Sequence, residues 1–291
     1  MTLSQKTGLR ETKRRLDRRV LYFSIKGNTL ENKPVENCAD LVNQDFCFTQ
    51  EERDALYKTI FNRRDVRGQF KPDAIPDEVL ARVLQAAHHA PSVGFMQPWN
   101  FIVIRSKETK LRVHQGFVEA NEEAAKLFKA ERQETYRNLK LEGIKESPIN
   151  ICITCDRNRC GPHVLGRTHI KTTDLYSSVC AVQNLWLAAR AEGLGVGWVS
   201  IIKQQALKDA LNIPDDIVPI AYLCVGYVSH FNKKPDLENA GWRKRLPLED
   251  LVFFDQWNEQ RNAEEDSLIK QIELDADFSE QFMQYDENAL E

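Results

Sequence analysis

Apolar positions along this chain recur at three- and four-residue steps in some stretches and bunch into short runs in others, and the two patterns mark out its elements. Residues 1–46 show neither pattern and contain Gly27, Asn28 and Asn32-Lys33-Pro34, the composition of an irregular arm. Thr49 is placed to cap a helix reaching about Asn62, with Glu51 and Glu52 in its positively polarised first turn. A second helix is predicted over Asp77–His89: Pro76 starts it, Pro91 follows its end, and Val79, Val83, Leu84 and Ala87 share one face. The apolar run Trp99–Ile104 predicts a strand, after which Ser106 can cap a short helix. Glu119–Glu146 spaces Ala124, Leu127, Phe128, Tyr136 and Leu139 among charges, which predicts one or two exposed helices forming a flap or insertion. Ile149–Thr154 predicts a buried strand leading into a loop.

The most regular helical pattern is Asp174–Glu192, where Leu175, Val179, Val182, Leu185, Trp186 and Ala189 recur until Gly193 stops the helix. A strand at Gly197–Ile201, a short helix Gln204–Leu211 and an apolar strand Pro219–Val228 follow. Helices alternate with strands throughout, so the expected fold is a layered α/β or α+β domain over residues 47–257. Beyond it, residues 258–291 carry eleven acidic groups against only Arg261 and Lys270, which favours an acidic helical or disordered tail. Leu268, Ile269, Ile272, Phe278 and Phe282 would line one side of that tail if it were a docking helix.

Charge narrows the classes. The 40 Lys and Arg nearly balance 43 Asp and Glu, so no net field favours nucleic acid or an anionic membrane. The apolar stretch 181–202 is interrupted by Gln183, Asn184, Arg190, Glu192 and three glycines, too polar for a membrane span. No apolar segment backs the Arg-rich start as a signal peptide would require, and Glu11 and Asp17 argue against an organellar address in Arg10–Arg19. Seven cysteines at loose spacings suit a reducing cytoplasm. Cys152 and Cys155 would point to opposite faces of a strand, and Cys155, Cys160, His163 and His169 are loosely spaced for zinc, so no metal is expected.

Four segments carry candidate chemistry. Arg63-Arg64-Asp65-Val66-Arg67 puts three guanidinium groups within five residues, able to fork onto a phosphate but by themselves more often a solvated charged face. Ala90–Trp99 is a Pro- and Gly-rich turn before a strand, where Ser92 and Gln97 could donate to and accept from a sugar hydroxyl or ring carbonyl, although punctuation alone favours a plain helix stop and tight turn. Glu192–Ser200 contains GxGxG in the order helix to strand, the reverse of a dinucleotide turn. What remains is a backbone that a flat ligand can approach closely, with Ser200 offering a hydroxyl. Gly241-Trp242-Arg243-Lys244-Arg245 is either a further part of a phosphate site or an exposed basic turn.

In this order, an arginine-rich turn, a PSxxxxQPW loop, a strand, a long helix and a glycine-rich passage resemble the nitroreductase superfamily. Arg63–Arg67, Val164–Thr168, Asp174–Ser177, Gln183–Arg190, Gly195–Ser200 and Ala240–Glu249 resemble more closely its 5,6-dimethylbenzimidazole synthase branch, over about residues 50–257. The resemblance implies a mostly antiparallel sheet flanked by helices and a homodimer with FMN at the subunit interface. It implies phosphate contacts from Arg63, Arg64, Val66, Arg67 and Arg245, flavin contacts from Ser92, Gln97, Gly197 and Val199, and catalytic roles for Asp65 and Ser200. FMNH2 would be consumed with O2, a separate flavin reductase would supply it, and the neighbouring arginines would hold Asp65 ionised as a general base. An NAD(P)H-dependent nitroreductase or dehalogenase, a corrinoid reductase and a noncatalytic flavin-binding protein are the alternatives.

Overall fold

The computed structural model describes residues 47–257 and 263–283; the expected arm 1–46 lies outside them. The chain divides at Thr49/Gln50 into two units. Of the first, only Cys47–Thr49 are described, and Cys47 is disulfide-bonded, which the reading of reduced thiols did not foresee. The second unit begins with α1 (Gln50–Asn62) and α2 (Asp77–His88), the latter started by Pro76.

Strand β1 (Trp99–Ile104) leads into α3 (Lys107–Ala125), whose first turn is capped by Ser106: its Oγ accepts from the Thr109 amide at 3.2 Å. The short helix expected here is nineteen residues long, because Val113, Phe117 and Ala125 continue one buried stripe through a charged stretch. What remains of the expected flap is α4 (Glu131–Asn138). Then follow β2 (Ile149–Asp156), α5 (Thr173–Ala191), β3 (Leu194–Val199), α6 (Gln204–Leu211), β4 (Ile217–Tyr227) and α7 (Asp236–Asn239). Thus the glycine-rich passage after α5 is itself strand β3 and no linker.

The four strands form one sheet in the order β1-β2-β4-β3, every neighbouring pair antiparallel. Ile151 and Ile153 of β2, Leu223 and Val225 of β4 and Val196 of β3 pack in one core with α2 and α5. Cys152, Tyr222, Cys224 and Val199 pack in the other with α3 and α6. Both faces of the sheet are covered, which is why β2 and β4 read as continuous apolar runs. Leu185 of α5 is fully buried, and truncating it to Ala would cost about 2–5 kcal/mol. Cys152 and Cys155 do straddle the sheet, the second lying against Ser178 of α5. Burial pushes the Cys152 and Cys224 thiols up to about 12, so neither is a nucleophile at neutral pH.

The C-terminal segment is no free tail. Helix α8 (Ala263–Leu274) and a 3-10 turn (Ala276–Phe282) bring Phe278 and Phe282 onto Tyr57 and Phe61 of α1, with the Tyr57 and Phe278 rings edge-on at 5.4 Å. The Asn62 amide donates to the Phe282 carbonyl at 2.7 Å. Ile269 is buried, whereas Leu268 is exposed. Among the described residues no helix is long and apolar enough to cross a membrane.

Candidate active site

The arginine-rich turn leaves α1 and lies directly along β3. The Val66 amide donates to the Val196 carbonyl at 3.0 Å, and Asp65 pairs with Val196 as a parallel bridge. The glycines of β3 make this possible: a Cβ on Gly197 would stand 2.0 Å from the Val66 carbonyl oxygen, and one on Gly195 would stand 2.4 Å from Val228. The close approach expected for a flat ligand is therefore made at these positions by the chain itself.

Asp65 is held from two sides. Its carboxylate accepts both terminal nitrogens of Arg67 and, at 2.9 Å, the backbone N–H of Trp198. Arg67 also donates to the Trp198 carbonyl at 2.9 Å, so carboxylate and guanidinium are fixed to the same residue of β3. Burial pushes the Asp65 carboxyl above the ordinary carboxylate value, against the pull of Arg67, the Trp198 amide and Arg63. The sequence reading had the arginines lowering it; desolvation outweighs them.

The three arginines have separate tasks. Arg63 sits over the Trp186 ring at 4.8 Å; burial lowers its pKa, and nearby Arg245 lowers it further while Asp65 opposes. Arg67 is committed to Asp65. Arg64 donates to the carbonyls of Asn232, Phe61, Arg63 and Lys233, so it ties α1 to a distant loop instead of joining its neighbours at an anion site. Val66 is buried, leaving only its backbone near the surface of the turn.

Ser200 follows β3, two residues after Trp198, and is exposed; its hydroxyl makes no hydrogen bond to any described residue. With Trp198, Pro219 and Tyr222 it lines a cavity of about 230 Å³. Val199 buries its side chain in the core, and Gly197 is closed over by the turn.

Ser92 and Gln97 lie elsewhere. Ser92 Oγ accepts from the Gln97 amide at 3.1 Å, closing a loop in which Gly94, Phe95 and Gln97 all have positive φ, a strained conformation of the kind that ligand sites hold in place. Ser177 of α5 accepts from the Val93 amide at 3.2 Å, and Arg159 donates to the Gln97 and Trp99 carbonyls at 2.7 and 2.9 Å. Gly94 and Gly166 interlock this loop with residues 164–167: a Cβ on Gly94 would meet the Leu165 carbonyl at 2.4 Å. The two groups of residues meet α5 at different points, Ser177 and Trp186, about 14 Å apart along the helix at 1.5 Å per residue.

Sequence reasoning missed the groups that brace these two regions. Asp174, fully buried, accepts from Arg157 and from Arg167, each at 3.0 Å, and so fixes the loop under Gly94. Trp242 packs edge-on to Phe128 at 5.2 Å, with Arg132 over its ring at 4.5 Å, which docks the α3–α4 flap against the 241–245 segment. The aromatic residues stood out in the sequence; their pairing across more than a hundred residues did not.

Residues 60–227 match the nitroreductase family. The chain belongs to that family. Within the nitroreductase family it is 42% identical over 195 residues to 5,6-dimethylbenzimidazole synthase of Rhodospirillum rubrum, covering 67% of this chain and 92% of that protein. It is 38% identical over 202 residues to the protein of the same name from Rhodobacter capsulatus, covering 69% and 97%. The fold matches that of iodotyrosine deiodinase bound to FMN and 3-iodo-L-tyrosine, with TM-score 0.55 and 21% identity over 69% of this chain and all of that one. It also matches a BluB-like flavoprotein of Clostridium difficile, with TM-score 0.52 and 20% identity over 69% and 99%. Asp65, Ser92 and Ser200 fall inside the matched nitroreductase region; Arg245 and the C-terminal segment fall beyond it. Among the described residues no group of His, Cys, Asp or Glu is gathered to hold a metal ion.

Proposed function

We propose that this nitroreductase-family chain is a 5,6-dimethylbenzimidazole synthase, an oxidoreductase that takes reduced FMN as substrate and fragments it with O2 to the lower ligand of cobalamin. The observation that carries the reading is Asp65, anchored to the Trp198 amide at 2.9 Å and so set two residues from the Ser200 hydroxyl. Support also comes from relatives of that name, which this chain covers over 92% and 97% of their lengths.

The residues suit FMN. Arg63 and Arg245 place two like charges near each other, an arrangement that a bound phosphate stabilises. The flavin, once bound, supplies the electrons and the ring carbons of the reaction. Arg67 holds the Asp65 carboxylate in place, and that carboxylate is the group that can take a proton. Its raised pKa moves it toward the range where a general base is effective. Ser200 would donate its hydroxyl to the ring system, while Gly197, closed over by the turn, serves the site by seating Val66 and so Asp65 against β3.

Ser92 and Gln97 complete the site from a second copy of the chain. Two half-sites spaced along α5, with Phe95, Leu165, Tyr176 and Val179 exposed around one of them, favour a homodimer with FMN at its interface. The reading further assigns FMNH2 supply to a separate flavin reductase and the enzyme to the cytoplasm, the latter favoured by five free thiols among the described cysteines and opposed by the disulfide at Cys47.

The test is to mix purified protein with chemically reduced FMN, admit oxygen, and quantify 5,6-dimethylbenzimidazole against lost flavin by chromatography and mass spectrometry. Product appearing as flavin disappears is expected. Intact FMN with no benzimidazole, despite demonstrated binding, would overturn the reading in favour of a flavin-recycling reductase or a binding protein.

A further inference from the structure

A second cavity, of about 480 Å³, opens between residues 72–74, the first turns of α3 and the approach to β2. Its volume is within the usual small-molecule range of about 300–1,000 Å³, and none of its lining residues belongs to the flavin site described above. Pro72, Leu111 and Pro148 give it apolar walls, while Arg105, Lys107, Lys110 and Lys145 bring four cations to it against the one carboxylate of Glu146.

The carboxylates nearby already hold partners, one of them the lining Arg105 itself. Asp77 accepts from Arg105 at 2.5 Å, Glu146 accepts from Lys140 at 2.8 Å, and Glu108 accepts from the Ser106 hydroxyl at 2.8 Å. Lys110 is the unusual member. It is 6% exposed, and its ammonium donates to the Ser147 and Pro148 carbonyls at 2.6 and 2.8 Å. No carboxylate pairs with it among the described residues. An ammonium has three donors, so one remains, and a buried cation without a counter-charge is costly to maintain. Burial pushes its pKa down and the nearby Lys107 adds to this, with Cys224 pulling the other way.

We propose that this cavity binds a small organic carboxylate, its apolar body against Pro72, Leu111 and Pro148 and its anionic end on Lys110, with Lys107 and Lys145 at the mouth. The carboxylate supplies the counter-charge that the fold withholds from Lys110, and the α3 N-terminus adds its positive pole. The site is distinct from the flavin site, so both are filled at once.

The probe is benzoate, titrated calorimetrically into FMN-saturated protein, with benzamide as the neutral molecule of the same shape. Saturable one-to-one binding of benzoate is expected, with benzamide at least tenfold weaker. Lys110→Met should abolish it, and the exposed-site double variant K107Q/K145Q should weaken it severalfold at unchanged melting temperature. The proposal is overturned if wild type shows no saturable binding, if benzamide binds as well as benzoate, or if K107Q/K145Q binds benzoate like wild type. The double variant decides the matter should Lys110→Met fail to fold.

Discussion

The arginine-rich turn and the basic segment around Arg245 carry the same charge to the same place and are held in opposite ways. In the turn, Asp65 and Arg67 are fixed to each other and to both backbone groups of Trp198, while Arg64 is tied to four carbonyls. Arg243, Lys244 and Arg245 are exposed, and their segment is anchored through the ring of Trp242. The first region is organised before any ligand arrives, which spares the cost of ordering it on binding. The second can adjust to an anion, at the price of ordering long side chains.

The sharpest way to break this contrast is Gly197→Ala. A methyl group 2.0 Å from the Val66 carbonyl must lift the turn off β3, so a loss of about 1–3 kcal/mol in chemical denaturation and of measurable FMN binding is expected. Next is Asp65→Asn, which keeps the shape but removes the ion pair and the proton acceptor. Product formation should fall by roughly 10²–10⁴-fold, with FMN affinity changed far less, as single-turnover assays and flavin fluorescence would report.

The pH profile tests the same residue. If ionised Asp65 is required, activity should be full at high pH and fall as pH drops through a pKa above the ordinary carboxylate range, since burial raises it. A limb at or below that ordinary range would show that Arg67 prevails over burial in solution.

Weaker effects sharpen the comparison further. Phe278→Ala with Phe282→Ala should release the C-terminal segment from α1, seen as faster limited proteolysis there and a melting temperature lowered by a few degrees. Arg245→Ala, on the loosely held side, should weaken FMN by about fivefold at most, more at low salt than at high, without a change in stability.

The contrast also explains what the sequence could and could not disclose. Strand β1 and helix α6 stand at their predicted bounds, because a compact apolar run and a flanked helical stripe are local signals. Strand β3 was placed three residues late, since Gly193, Gly195 and Gly197 look like turn punctuation. Two of them are selected by the turn at residues 65–67, more than a hundred residues earlier, which no local window reveals. Likewise the acidic excess after residue 258 suggested a solvated tail, and its aromatic partners on α1 became visible only in three dimensions. The candidate site residues stood out as types in a motif. Which arginine faces the ligand and which braces the fold was not, because Arg63, Arg64 and Arg67 are chemically identical until their neighbours are known.

The bond from the Trp198 amide to Asp65 spans 133 positions of sequence, and this sets an order of events during synthesis. A ribosome reaches Arg67 early, yet the strand that receives the turn is not made until Val199 has left the tunnel. Long-range pairing of this kind is slow to form, so the nascent protein passes through an extended interval as a chain that already holds its arginines but has no place to put them. An incomplete product ending anywhere before β3 is therefore expected to lack the flavin site altogether, and premature termination should yield fragments that do not compete with the finished enzyme for flavin.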